Sequence, residues 1–208
     1  MFDIAIINYG MGNLHSVYCA CEKVGLKAKI TDKIEEINES KAIILPGVGA
    51  FGSAMKKIKE KKIDKAIYAH HKKQKKIIGI CLGMQLLFEK SYEITNNKGL
   101  DILKGDVMNI SGTNKNLLNV GWRDVKINEE VNSLLNSMTK KKNQYYFIHS
   151  FYVELKEKQI LTASSEFIDK KFCCAIKKNN IEAFQFHPEK SGDAGLEIFN
   201  NLKKEISI

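Results

Sequence analysis

Apolar runs of strand length recur through the first half of the chain: FDIAIIN at 2–8, KAIILPG at 41–47 and KIIGI at 76–80, with LKAKIT at 26–31 also reading as a strand. Runs without polar interruption suit strands buried on both faces. Between them lie stretches of helical character: 14–25, closed by Gly25, a long one over roughly 52–73, and one from Leu82 to about Lys90. In the long stretch Met55, Ile58, Ile63 and Ile67 keep roughly helical spacing and the lysines take the other side. Buried strands alternating with helices predict an α/β fold whose mostly parallel sheet is covered on both faces.

The pattern changes after residue 100. Segments 104–110, 118–127, 145–154, 159–165, 172–178 and 181–187 are short and strand-like, separated by polar turns such as NKN at 114–116 and KKNN at 177–180. They predict a mixed β region added to the parallel core. A closing amphipathic helix is expected over 193–206, with Leu196, Phe199, Leu202 and Ile206 on its buried side. No repeat or linker interrupts the chain, so residues 1–208 are read as a single domain.

Composition adds little to this picture. The net charge of +9 comes from 33 Lys+Arg against 24 Asp+Glu. The lysines are spread along helical faces and are not interleaved with aromatics, so a solvated surface is expected rather than a nucleic-acid site. The five cysteines are odd in number, form no CxxC pair and have no zinc spacing with histidine. No leader and no membrane-length apolar run is seen, which predicts a soluble cytoplasmic protein with reduced thiols, no metal and no cofactor.

One cysteine stands apart. In IIGICLGMQLLFEK, Cys81 sits between Gly79 and Gly83 where a buried strand turns into a helix. Sites in such sheets gather at the carboxyl ends of strands. The glycines let strand and helix approach closely, as in the nucleophile elbows built around serine. The N–H of Leu82 can help hold an oxyanion, and the helix start favours thiolate. For Cys19, Cys21, Cys173 and Cys174 the plainer reading, a small buried cysteine, is adopted.

A cysteine nucleophile needs a base, and the base an orienting acid. His70 and His71 end a lysine-rich helix and read as solvated; His15 starts a helix; His149 lies inside a strand. His187 ends the strand IEAFQF, before Pro188 stops further pairing. In an extended segment His187 and Glu189 face one way, so Glu189 can bond one ring nitrogen and leave the other for Cys81. The glycine-rich loop ILPGVGAFG at 44–52 is the candidate for a second oxyanion donor, and is not a Walker motif.

PGVGAFG, GICLGMQLLFE and FQFHPEKS, in this order, resemble the class I (triad-type) glutamine amidotransferases. INYGMGNLHSV and YYFIHSFYV narrow the likeness to the glutaminase subunits of imidazole glycerol phosphate synthases. The resemblance implies a flavodoxin-like central sheet with an added mixed sheet. It implies a Cys81–His187–Glu189 triad hydrolysing L-glutamine, with an oxyanion hole from Leu82 and from Val48 or Gly49. Gln85 and Glu93 would hold the polar ends of glutamine, helped by Gly49 and by the backbone of Ser150 and Phe151. A (β/α)8-barrel cyclase partner is implied, forming a heterodimer, taking the ammonia and touching Asn8, Tyr9, Gly10, Met11, Asn13, Trp122 and Lys190. The joint reaction would belong to histidine biosynthesis.

One stretch departs from the family pattern. LNVGWRD at 118–124 carries Asn119 where a histidine is usual and Arg123 where an asparagine is usual. It is expected on the partner-facing side, which keeps open a glutaminase serving a cyclase-like partner in bacterial surface-sugar synthesis. Two further alternatives are a different thiol hydrolase on the same fold, and a binding protein with a vestigial site.

Overall fold

The computed structural model describes residues 2–111, 117–135 and 143–207; the turn read at 114–116 lies outside them. The first half folds as β1 (Ile4–Ile7), α1 (Leu14–Lys23), β2 (Ala28–Thr31), α2 (Ile34–Glu39), β3 (Ala42–Leu45), α3 (Phe51–Glu60), α4 (Ile63–Lys72), β4 (Lys76–Ile80) and α5 (Leu82–Leu86). The second half adds β5 (Lys90–Ser91), β6 (Asn97–Lys98), β7 (Gly105–Asn109), β8 (Asn119–Ile127), β9 (Gln144–His149), β10 (Phe151–Leu155), β11 (Leu161–Phe167), β12 (Lys170–Lys178), β13 (Ile181–Phe184) and α6 (Gly192–Ile206), with 3-10 turns at Lys158–Ile160 and Pro188–Lys190.

The central strands run β2-β1-β3-β4-β13, all parallel. This is the flavodoxin-like order, in which ligand sites gather at the carboxyl ends of the strands. β12 attaches antiparallel to β13 and leads into the mixed region, where β10 and β7 continue the sheet and β11, β8 and β9 form a branch.

Strand periodicity explains the two cores. Along β1, Ala5 and Ile7 join one apolar cluster with residues of α3, α4 and α5, while Ile4 and Ile6 join the other with residues of α1 and α6. Both faces of β1, β3 and, after Lys76, β4 are buried, so these stretches read as unbroken apolar runs. The same alternation sends Cys173 into one core and Cys174 into the other. All five cysteines are free, and burial pushes the thiols of Cys21, Cys173 and Cys174 up, keeping them neutral.

The structure corrects several boundaries. The expected helix over 52–73 is two helices, broken where Lys62 adopts φ +57°. The helix after Cys81 ends at Leu86 rather than near Lys90, and α2, β5 and β6 were not foreseen. The strand read over 145–154 is interrupted at Ser150, after which β10 takes a different partner. His70 is buried rather than solvated, its Nε2 2.7 Å from the Ile37 carbonyl, and His71 is half-buried against Asn180.

Candidate active site

Four strand ends meet at the crevice: Asn8 after β1, Pro46 after β3, Cys81 after β4 and Gln185 after β13. Cys81 holds φ +53°, ψ −110°, a combination an L residue adopts only when its surroundings impose it. They do so here through glycine. A Cβ on Gly83 would lie 1.7 Å from the Leu45 carbonyl oxygen, and one on Gly79 would lie 2.9 Å from Met84 Cα. The elbow therefore packs backbone on backbone and lifts the thiol to the crevice floor. Because α5 has only five residues, its dipole contributes less than the sequence suggested. The Leu82 N–H, at the first helical position, has no carbonyl behind it in the helix to bond.

His187 Nδ1 lies 2.8 Å from Glu189 Oε1, with both side chains buried. The pair forms as expected but not on extended chain, since Pro188–Lys190 is a 3-10 turn. That turn is clamped by Ser191, whose hydroxyl donates to the His187 carbonyl at 2.6 Å and accepts the Tyr146 N–H at 3.0 Å. Burial opposes charge on the His187 ring, but the sulfur of Cys81 and the carboxylate of Glu189 outweigh it and raise its affinity for a proton. No group among the described residues hydrogen-bonds His187 Nε2, the nitrogen opposite Glu189. The arrangement is that of a thiol, an imidazole and an orienting carboxylate, suited to acyl transfer.

Over Cys81 opens a cavity of about 440 Å³, lined by Val48, Gly49, Leu82, Gln85, Glu93, Ser150 and Phe151 among others. All seven residues assigned from sequence to oxyanion or substrate roles thus border one space. Glu93 also braces the fold, because its Oε2 accepts the Phe51 N–H at 2.6 Å and so ties the start of α3 to the segment after β5. Gln85 donates from Nε2 both to the Phe151 carbonyl and to Gln185 Oε1, each at 2.9 Å.

Of the residues assigned to partner contact, Trp122 is half exposed, and Gly10 and Lys190 are exposed. Asn8, Met11 and Asn13 are half-buried. Tyr9 is a correction: it is fully buried and donates its hydroxyl to the Pro46 carbonyl at 2.9 Å, bracing the loop. LNVGWRD is also only half outward-facing, because strand alternation buries Asn119 while exposing Val120 and Trp122. Two residues were not assigned to the site: Gln185 was missed, and His149 was weighed as a base and set aside as a strand residue. Gln185 places Nε2 3.7 Å from Cys81 Sγ, and His149 lines the cavity. The signal for Gln185 was present, as a polar residue set between Phe184 and Phe186, two positions before His187.

Replacing Glu189 by glutamine is expected to lower turnover about 100-fold, and His187→Ala by about 10⁴-fold, because the amide oxygen still accepts Nδ1–H. The ring's raised proton affinity stabilises the fold fully below its ordinary value of 6.5, and that share is lost as pH rises through the raised value. The stability gap between wild type and Glu189→Gln in urea should therefore be wider at pH 6 than at pH 10. A gap that widens with pH would mean that Glu189 does not hold the charged ring.

A family model described as "Glutamine amidotransferase class-I" matches residues 5–204. The chain is 40% identical over 199 residues to the imidazole glycerol phosphate synthase subunit HisH of Chlorobaculum tepidum, covering 96% of this chain and 98% of that protein. It is 43% identical to the protein of the same name from Caldanaerobacter subterraneus, covering 98% of each. It is 38% identical to that of Bacillus subtilis, covering 97% of this chain and 95% of that one. Among solved structures, PurLQS from Thermotoga maritima superposes with a TM-score of 0.76 at 19% identity, covering 99% of both chains. The glutaminase domain of Trypanosoma brucei CTPS with bound acivicin does so at 0.70 and 15%, covering 100% of this chain and 94% of that one. At these identities the structures speak to the fold alone.

Proposed function

Because the chain belongs to the class I glutamine amidotransferases, we propose that it is the glutaminase subunit of an imidazole glycerol phosphate synthase, using Cys81, His187 and Glu189 on L-glutamine. One observation carries the catalytic half of this reading: His187, held by Glu189 at 2.8 Å, is electrostatically coupled to Cys81, a strained elbow cysteine that lines the cavity. The relatives' shared name carries the pathway half, and favours histidine biosynthesis over surface-sugar synthesis.

The Cys81 thiolate attacks the carboxamide carbon, forming a C–S bond and an oxyanion that receives the N–H of Leu82 and of Val48 or Gly49. The His187 imidazolium protonates the leaving nitrogen, the C–N bond breaks, and ammonia departs from a glutamyl thioester. The now neutral His187 takes a proton from the water that attacks the thioester carbon; the C–S bond breaks, glutamate leaves, and Cys81 returns as thiolate beside the His187 imidazolium. Gln85, Glu93, Gly49 and the Ser150–Phe151 backbone hold the amino acid end of glutamine. The protein works in the cytoplasm as one domain; no helix among the described residues is long and apolar enough to cross a membrane.

The ammonia passes to a (β/α)8-barrel cyclase docked over the crevice mouth as a heterodimer. Val48, Leu118, Val120, Trp122 and Ile148 leave an apolar group exposed there, where docking would cover it. Trp122 packs edge-on to Tyr146, whose ring also faces the Lys190 ammonium at 5.9 Å. Glutamate release from glutamine, measured with and without the histidine-pathway cyclase of the same organism and its ribotide ligand, tests the whole reading. Strong stimulation is expected; activity indifferent to that cyclase would move the assignment to another synthase. Trp122→Ala should weaken cyclase binding by about 2 kcal/mol while leaving Cys81 labelling in the free subunit unchanged. Unchanged binding by calorimetry would remove Trp122 from the interface.

A further inference from the structure

A directed chain of hydrogen bonds joins Arg123 to the cavity wall. Arg123 Nε donates to Asn119 Oδ1 at 3.1 Å, Asn119 Nδ2 meets His149 Nε2 at 2.9 Å, and His149 Nδ1 meets the Phe151 carbonyl at 2.8 Å. The ends decide the middle. A guanidinium only donates, so Asn119 turns its oxygen to Arg123 and its NH₂ to His149. A carbonyl only accepts, so His149 carries its proton on Nδ1 and offers a lone pair at Nε2. Burial first of all, with the charges of His187 and Arg123, lowers His149 to about 4 and keeps it neutral, as these roles require.

The chain is built into the sheet. Asn119 and His149 are directly opposite in the β8–β9 pairing, and both are buried. Arg123 is anchored by bonds to the Trp122 and Val120 carbonyls and by the Phe167 ring at 5.2 Å. At the far end the Phe151 carbonyl takes a second donor, Gln85, which continues through Gln185 to the sulfur of Cys81. The Ser150 carbonyl is held by the Ile110 N–H at 2.8 Å. The peptide that walls the cavity therefore has both carbonyls committed.

We propose that Arg123, Asn119 and His149 are positioning residues that lock the Ser150–Phe151 peptide in the geometry needed to bind glutamine. This rests on the glutaminase reading above. None of the three has to touch the reacting atoms. Loss of the Asn119 link frees His149 to exchange tautomers and lets the peptide turn, which loosens substrate binding more than it slows chemistry at Cys81.

The test is saturation of Cys81 labelling by acivicin in the purified protein, with wild type, Asn119→Leu and Arg123→Met. The half-saturating concentration should rise about tenfold in both variants, with the maximal labelling rate changed by less than about threefold. Nitrogen-15 NMR should show His149 as the neutral Nδ1–H tautomer in wild type and as a mixture in Asn119→Leu. Should Asn119→Leu fail to fold, Arg123→Met at the half-exposed end reads the same quantities. Half-saturation unchanged in the folded variants, or a wild-type His149 protonated on Nε2, would overturn the proposal. Wild-type labelling that excess glutamine does not suppress would instead overturn the glutaminase reading beneath it.

Discussion

Cys81→Ala is expected to abolish glutamine hydrolysis, a loss of roughly 10⁵-fold, while the protein stays folded. The magnitude follows from removing the proposed nucleophile: no other thiol can substitute, since Cys21, Cys173 and Cys174 are buried in the cores and neutral, and Cys19 lies on α1 away from the cavity lining. Stability should move differently. Alanine keeps the Cβ and hence the strain of φ +53° at this position, whereas glycine does not. Cys81→Gly should therefore be more stable than Cys81→Ala by about 1 kcal/mol, the reverse of their order in regular structure. Glutamate release and urea midpoints of the two variants check both statements. Activity within about tenfold of wild type in Cys81→Ala would place the nucleophile elsewhere, and an alanine variant more stable than the glycine one would deny the strain.

Gly83→Ala should be among the most damaging single-methyl changes at the described residues, costing roughly 3–5 kcal/mol of stability. Its Cβ would be 1.7 Å from the Leu45 oxygen and 2.7 Å from the Leu45 carbon, both backbone atoms of β3. β3 cannot yield, being paired with β1 on one side and β4 on the other. Nor can α5 retreat freely, because all five of its residues are buried. Gly192→Ala is the control: its φ is +58° but nothing lies within 4 Å of the added carbon, so only the left-handed penalty of about 1 kcal/mol applies. Thermal unfolding of the two variants should separate them clearly. Equal, small losses would show that the elbow is not tightly packed.

The parallel core and the glycine-flanked elbow at Cys81 were legible in the sequence because both are local consequences of backbone geometry. A strand buried on two faces is apolar along most of its length, as β1 and β3 are throughout and β4 is after Lys76, and a strand-to-helix turn this tight must have glycine at positions 79 and 83. His187 and Glu189 were legible for the same reason, being two residues apart, although the turn that joins them is 3-10 and not extended. What the tertiary structure alone decided is everything that depends on distant pairing. The helix read over 52–73 breaks at Lys62 with no glycine or proline to mark it, and His70 near the end of its second half is buried against the Ile37 carbonyl. Gln185 reaches Cys81, and Asn119 reaches His149, only because strands far apart in sequence lie in the right register. Periodicity says which face a side chain takes, but a polar group's partner is set by which strand lies beside it. That is a property of the assembled sheet.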